Sequence, residues 1–143
     1  MAEQHQKIPP KSKAMLICDQ VIIERDTNKI SVISSYNSVP VWRESPETKP
    51  FCVFLKLTEG NPTCDITMEM HDLREDRVIS RLGPQTVQFA DRLEAVEVVG
   101  SWPAVPIEHD GAYDIVAFAD SQEIDRHRLQ IYFQEEQDDE ETQ

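Results

Sequence analysis

The chain has 143 residues, with 39% hydrophobic positions and a formal net charge of −13 from 27 acidic and 14 basic side chains. That length and apolar content fit one domain with its own core and are short for two. Such an acidic balance argues against a phosphate-backbone binder, which needs clustered Lys and Arg, and against attraction to anionic membrane surfaces. No apolar run is long enough to span a bilayer, because Asp19 and Gln20 interrupt the most apolar early stretch.

Residues 1–12 carry Pro9 and Pro10 among polar side chains and read as a flexible leader without the apolar segment of a secretory signal. Residues 14–24 predict a first strand ending in the β-branched run Val21-Ile22-Ile23, with a turn over Asp26-Thr27-Asn28-Lys29. Residues 30–39 alternate as the return strand of a hairpin. Pro40, Pro46 and Pro50 then bracket a polar crossing loop that holds Val41, Trp42 and Arg43.

Phe51, Val53, Leu55 and Leu57 give residues 51–58 an apolar face, and Gly60-Asn61-Pro62 marks a turn. Residues 63–71 alternate most clearly. Thr63, Asp65, Thr67, Glu69 and His71 face one way, and Cys64, Ile66, Met68 and Met70 the other, as in a strand wet on one side and dry on the other. A turn over residues 73–76 leads to a short strand at 78–80. Gly83-Pro84 predicts a break, followed by a short strand at 86–89. Residues 93–99 alternate imperfectly, which a bulge explains, with a helical turn as the competing reading. Trp102 to Pro106 reads as an extended connector.

The chain closes on a hairpin over residues 109–133. Tyr113, Ile115, Ala117 and Ala119 share one face, and Leu129, Ile131 and Phe133 alternate on the return strand. Gly111-x-Tyr113 resembles the tyrosine corner, in which a Tyr near a strand start bonds back to upstream backbone. Short strands joined by polar turns, with no long helix, predict an all-β protein: an antiparallel immunoglobulin-like β-sandwich of seven to nine strands. Its bounds are residues 13–134, with residues 135–143, which hold six acids and no base, as a disordered acidic tail.

The pattern Leu16-x-Cys18-Asp19-x-Val21-Ile22, then Thr27-x-Lys29-x-Ser31-x-Ile33, and the terminal Gly111-x-Tyr113 hairpin resemble a family of small, uncharacterised bacterial immunoglobulin-like domains. The resemblance spans roughly residues 13–134. It departs from the usual glycine turns at Asn28 and within Arg74-Glu75-Asp76, and it implies an architecture without implying catalytic residues.

Candidate chemistry is sparse. Asp72 with Asp76, and Asp120 with Asp125, are spaced carboxylates that a Ca²⁺ ion could use, although Asp is also a preferred turn residue. Cys18, Cys52, Cys64, His71, His109 and His127 lack zinc-ligand spacing, and no nucleophile-elbow, P-loop or dinucleotide motif is present. Three cysteines in strand-like segments read as buried thiols in a reducing, cytoplasmic compartment. No catalytic residue, cofactor or metal site is expected.

The expected function is a non-catalytic binding or assembly module that contacts another protein or itself. Trp42, Arg43 and Trp102 are the candidate interface residues, because Trp and Arg are over-represented at hot spots. Edge strands of a small sandwich supply a second route to a partner. The alternative is a sandwich that binds Ca²⁺ or a small ligand.

Overall fold

The computed structural model describes residues 8–135, and these contain nine strands and no helix. In chain order they are β1 (Lys11–Ile23), β2 (Ile30–Ser35), β3 (Ser38–Trp42), β4 (Phe51–Thr58), β5 (Thr63–Asp72), β6 (Arg77–Gln88), β7 (Val96–Trp102), β8 (Gly111–Ala119) and β9 (Gln122–Gln134). Most of the leader and of the acidic tail predicted from the sequence lies outside the described residues.

The strands form a four-stranded sheet, β2-β1-β4-β7, and a five-stranded sheet, β3-β9-β8-β5-β6. Pairing is antiparallel everywhere except between β3 and β9, which run parallel. The arrangement is sandwich-like, with the five-stranded sheet curled into a half-barrel.

Alternation explains which side of each strand is buried. On β5, Cys64, Ile66, Met68 and Met70 face the core while Thr67, Glu69 and His71 face outward, as the sequence predicts. Tyr113, Ile115, Ala117 and Ala119 of β8 and Leu129 and Ile131 of β9 complete the inner face of that sheet. Ile17, Val53, Leu55, Leu57 and Val98 oppose them from the other sheet. The β8–β9 hairpin closes through Asp120 and Ser121, both at positive φ (48° and 74°), the two-residue geometry whose twist suits antiparallel strands.

Three expectations are corrected. The predicted strand over residues 30–39 splits in two. Ser34 adopts a left-handed φ of 57°, and beyond Tyr36 the chain leaves the first sheet to pair with β9 as β3. The crossing loop predicted to begin at Pro40 therefore starts only after Trp42. Pro40 is tolerated inside β3 because that strand is a sheet edge.

Second, Gly83-Pro84 does not separate two strands. A cis peptide there is spanned by one continuous β6, whose pairing with β5 shifts register at two points. Third, the strand predicted over residues 93–99 forms only from Val96 and without a bulge, and the competing turn over residues 91–95 is a single one closed by the Glu94 amide on the Asp91 carbonyl. Residues 89–95 are turn and bend, and β7 begins only at Val96.

Candidate interaction surface

Of the three candidate interface residues, Trp102 belongs to the core. It ends β7, is 1% exposed, stacks on Phe51 at 5.5 Å between ring centroids, and donates its Nε1–H to Ser80 Oγ at 2.8 Å. Its apolar rings are buried and its single donor satisfied, so it offers nothing to a partner in this fold.

Trp42 and Arg43 sit elsewhere, at the end of edge strand β3. Pro40 lies opposite Tyr132 and Trp42 opposite Gln134 in the ladder with β9. By strand periodicity Pro40, Trp42 and Tyr132 share the outward face. Trp42 is 43% exposed and Tyr132 is 46% exposed. Arg43 turns its side chain to the other face of the sheet. Its amide donates to the Gln134 carbonyl at 2.9 Å, its guanidinium lies 5.1 Å from the centre of the Phe133 ring, and its Nε is 3.7 Å from Glu135. The sequence pattern of the return strand marks Leu129, Ile131 and Phe133 as inward and carries no signal that sets Tyr132 apart from other outward positions.

The backbone beside this patch is not open to strand addition along its whole length. The Asn37 carbonyl and the Arg43 amide both bond to β9. Alternation then turns the backbone of residues 38, 40 and 42 to the open side. Pro40 has no N–H to present there, and the Trp42 carbonyl already accepts from the Ser45 amide. This edge is blunted, so contact through β3 falls to the side chains on its face.

A second apolar surface is the far end of the β1–β2 hairpin. β4 pairs with β1 only as far as Cys18, and beyond it Gln20 to Ile23 pair with β2 alone. Ile22, Ile23 and Ile33 are exposed by 45%, 58% and 38%. Val21, Ile30 and Val32 are half-buried and lie outside the core cluster.

The remaining polar side chains are locked in pairs. His109 bridges two partners: Nε2 to Asp72 Oδ2 at 2.7 Å and Nδ1 to the Asp110 carbonyl at 2.8 Å. Both partners are acceptors, an arrangement that favours the imidazolium. Its pKa is raised, first by the Asp110 carbonyl and then, against the opposing effect of burial, by Asp72. Asp72 is 1% exposed and also accepts from the amides of Arg74 and Glu75. Burial pushes its carboxyl up, but the Glu75 amide, His109 and the Arg74 amide together outweigh this and hold it below its usual range. Tyr113 completes the clasp. Its hydroxyl donates to the His109 carbonyl at 2.7 Å, and its ring stacks on the imidazole. These bonds tie the turn after β5 to the start of β8.

The outward face of β8 and β5 carries a second network. Asp114 is 2% exposed and receives Arg128 at 2.6 Å and Arg126 at 2.8 Å. Burial raises its pKa, but the two guanidiniums, Arg128 first, outweigh it and leave the carboxyl below its usual range. Glu69 binds His71 and Arg81, each at 2.8 Å. Beside it a cavity of about 340 Å³ is lined by Thr67, Glu69, Arg81, Pro84 and Phe118, among others.

The four aspartates considered for Ca²⁺ do not converge. Asp72 pairs with Tyr113 at one end of the β5–β8 ladder, while Asp120 follows its other end and bonds to the Asp65 amide. Asp125 accepts from Ser12. Among the described residues, no group of three or more His, Cys, Asp or Glu side chains is placed to hold a metal ion. No helix among them is long and apolar enough to cross a membrane.

No protein-family model and no curated protein matches this sequence.

Proposed function

We propose that the chain is a non-catalytic binding module that engages another protein through the aromatic face of β3 and β9. The observation that carries this reading is the pair of half-exposed aromatics, Trp42 and Tyr132, on one face around Pro40. Large aromatics left in water on a preformed sheet are anchors that lose little conformational entropy on binding.

We also read the architecture as immunoglobulin-like. Support comes from strand order: β1-β4-β7 occupies the places of strands A, B and E, and β9-β8-β5-β6 those of G, F, C and C′. Tyr113 at the start of β8 bonds back to backbone four residues upstream, as the tyrosine of strand F does.

Size-exclusion chromatography with light scattering on the full chain separates self-association from a foreign partner. The species found, either the self-complex or a purified partner, is then titrated against a Trp42→Ala/Tyr132→Ala double variant. The expected result is loss of the complex with the melting profile unchanged. A double variant that keeps both overturns the assignment.

The cavity by Phe118 favours a second reading, a small-ligand site in which an apolar floor meets one carboxylate and one guanidinium. A ligand screen by thermal shift, with Phe118→Ala as control, tests it. Hits that persist in the variant would exclude this cavity.

A further inference from the structure

Cys18 and Cys52 stand directly opposite one another in the β1–β4 ladder. Opposed residues of an antiparallel pair hold their Cα atoms about 4.5–5.5 Å apart. That lies inside the window of roughly 4.4–6.8 Å that a disulfide requires. Cys18 Sγ lies 3.7 Å from the Cys52 carbonyl oxygen, so the thiol already leans across the gap between the strands.

Both side chains point away from the core. Their neighbours Ile17 and Val53, also paired with each other, supply the inner face. Ser35 and Ser101 flank the thiols in the same row. The two sulfurs differ in access. Cys18 is fully buried and Cys52 is half-buried. Burial, and after it the neighbouring Cys52, pushes the Cys18 thiol up, so Cys18 is the poorer first nucleophile. Tyr36 feels both thiols. Its hydroxyl is pushed up to about 12 by burial first, then by Asp19, Cys18 and Cys52.

We propose that Cys18 and Cys52 form a reversible cross-strand disulfide site whose oxidising substrate is a hydroperoxide. The Cys52 thiolate attacks one peroxide oxygen, the O–O bond breaks, and water (or an alcohol, from an organic peroxide) leaves with a proton. Cys52 becomes a sulfenic acid. Cys18 sulfur then attacks Cys52 sulfur, the S–O bond breaks, and the departing hydroxide takes the Cys18 proton as a second water. Two thiols are oxidised by two electrons and one peroxide is reduced. A dithiol reverses the bond by exchange. The bond ties together both ends of the segment that carries the apolar hairpin and Trp42. The site stands independently of the protein-binding reading.

Cys64 provides an internal reference, since it is 2% exposed on the inner face of the other sheet. The test treats the reduced full-length protein with two equivalents of hydrogen peroxide. Expected are an intact mass lower by two hydrogens, a fall from three titratable thiols in denaturant to one, and a peptide map joining Cys18 to Cys52 with Cys64 alkylated. The melting temperature should rise by roughly 15 °C and return with dithiothreitol, as expected for closing a loop of this length. In Cys18→Ser, Cys52 should instead accumulate a sulfenic acid trapped by dimedone. The wild-type mass and peptide map need no variant to fold. Added oxygen on Cys52 without a cross-link, a bond between two chains, or three thiols still titratable would each overturn the proposal.

Discussion

The clasp of Asp72, His109 and Tyr113 makes a sharp prediction, because two substitutions at it disturb the same bond unequally. In Asp72→Asn the side-chain oxygen still accepts from the amides of Arg74 and Glu75, at 3.0 and 3.1 Å in the native protein. The new amide N–H can donate to Nε2 of a neutral His109, whose Nδ1–H still donates to Asp110. No bond need be lost, only its charge assistance. Charge-assisted bonds contribute about 1.5–3 kcal/mol against about 1 kcal/mol for neutral ones, so the cost is about 1–2 kcal/mol. In His109→Ala the carboxylate stays buried without its cation, which costs about 3 kcal/mol or more. At about 4 °C per kcal/mol for a chain of this size, the melting temperature falls by about 4–8 °C and by about 12 °C. The pH dependence has a definite sign. His109 has a raised pKa, so its contribution is full below the unfolded value of about 6.5 and is lost as pH rises through the folded value. Asp72 has a lowered pKa, so its contribution is present above about 3.9 and is lost as pH falls through the folded value. The gap between wild type and Asp72→Asn should be widest near pH 5–6 and narrow toward pH 9, followed by circular dichroism melts at fixed ionic strength. A gap that does not change with pH would refute the imidazolium assignment. A smaller loss for His109→Ala than for Asp72→Asn would refute the buried-carboxylate argument.

Two further outcomes follow from the core and the blunted edge. Trp102→Phe removes the bond to Ser80 and part of the buried ring area, for a loss of about 2 kcal/mol, whereas Trp102→Ala should cost about 3–5 kcal/mol; urea unfolding separates the two, and equal losses would mean that the ring Phe retains contributes little and the Ser80 bond carries the cost. Pro40→Val restores an N–H on the open side of β3, so light scattering should show concentration-dependent association absent from wild type; a monomer at all concentrations would show that something besides proline guards that edge.

Much of the fold was legible because alternation survives wherever one face of a strand is buried. β5 and β8 were read residue for residue, and Tyr113 was picked out by its place at a strand start. Two of the failures share one cause: proline and glycine signal a break without saying whether the ladder resumes. Pro40 was read as the start of a loop, yet an edge strand needs no N–H on its open side, so β3 runs through it. Gly83-Pro84 was read as a boundary, yet a cis peptide and two register shifts let β6 continue. Long-range pairing was the least legible. No local pattern announces that Cys18 faces Cys52 across 34 positions, or that His109 meets Asp72 rather than its sequence neighbour Asp110 alone. Trp42 and Trp102 look alike in sequence, each near proline, and only the register of β3 and β7 sends one to the surface and the other to the core.

The outward face of the five-stranded sheet is energetically divided, and the division decides where a partner can dock. Over β8 and β5 the charges of Asp114, Arg126, Arg128, Glu69 and Arg81 are already mutually satisfied. A partner covering them must strip water from paired ions, which gives little net return. Over β3 and β9, Trp42 and Tyr132 still show nearly half their surface. Aromatic side chains bury about 150–250 Å² each, so about 200 Å² remains to be removed from water, a gross gain of about 5 kcal/mol. Association itself costs at least about 4 kcal/mol, and a standard interface buries about 800 Å² on each side. The two aromatics therefore anchor a contact that must also draw on their surroundings, where Glu47, Lys49 and Gln134 line a shallow pocket with Pro40 and Trp42. Trp42→Ala alone should weaken binding by about 2–3 kcal/mol, roughly 30- to 150-fold, with Tyr132→Ala contributing comparably. Isothermal titration of the single variants reads this directly. A change of less than threefold in both would place the contact off this face and leave the isoleucines of the β1–β2 hairpin as the surface to mutate next.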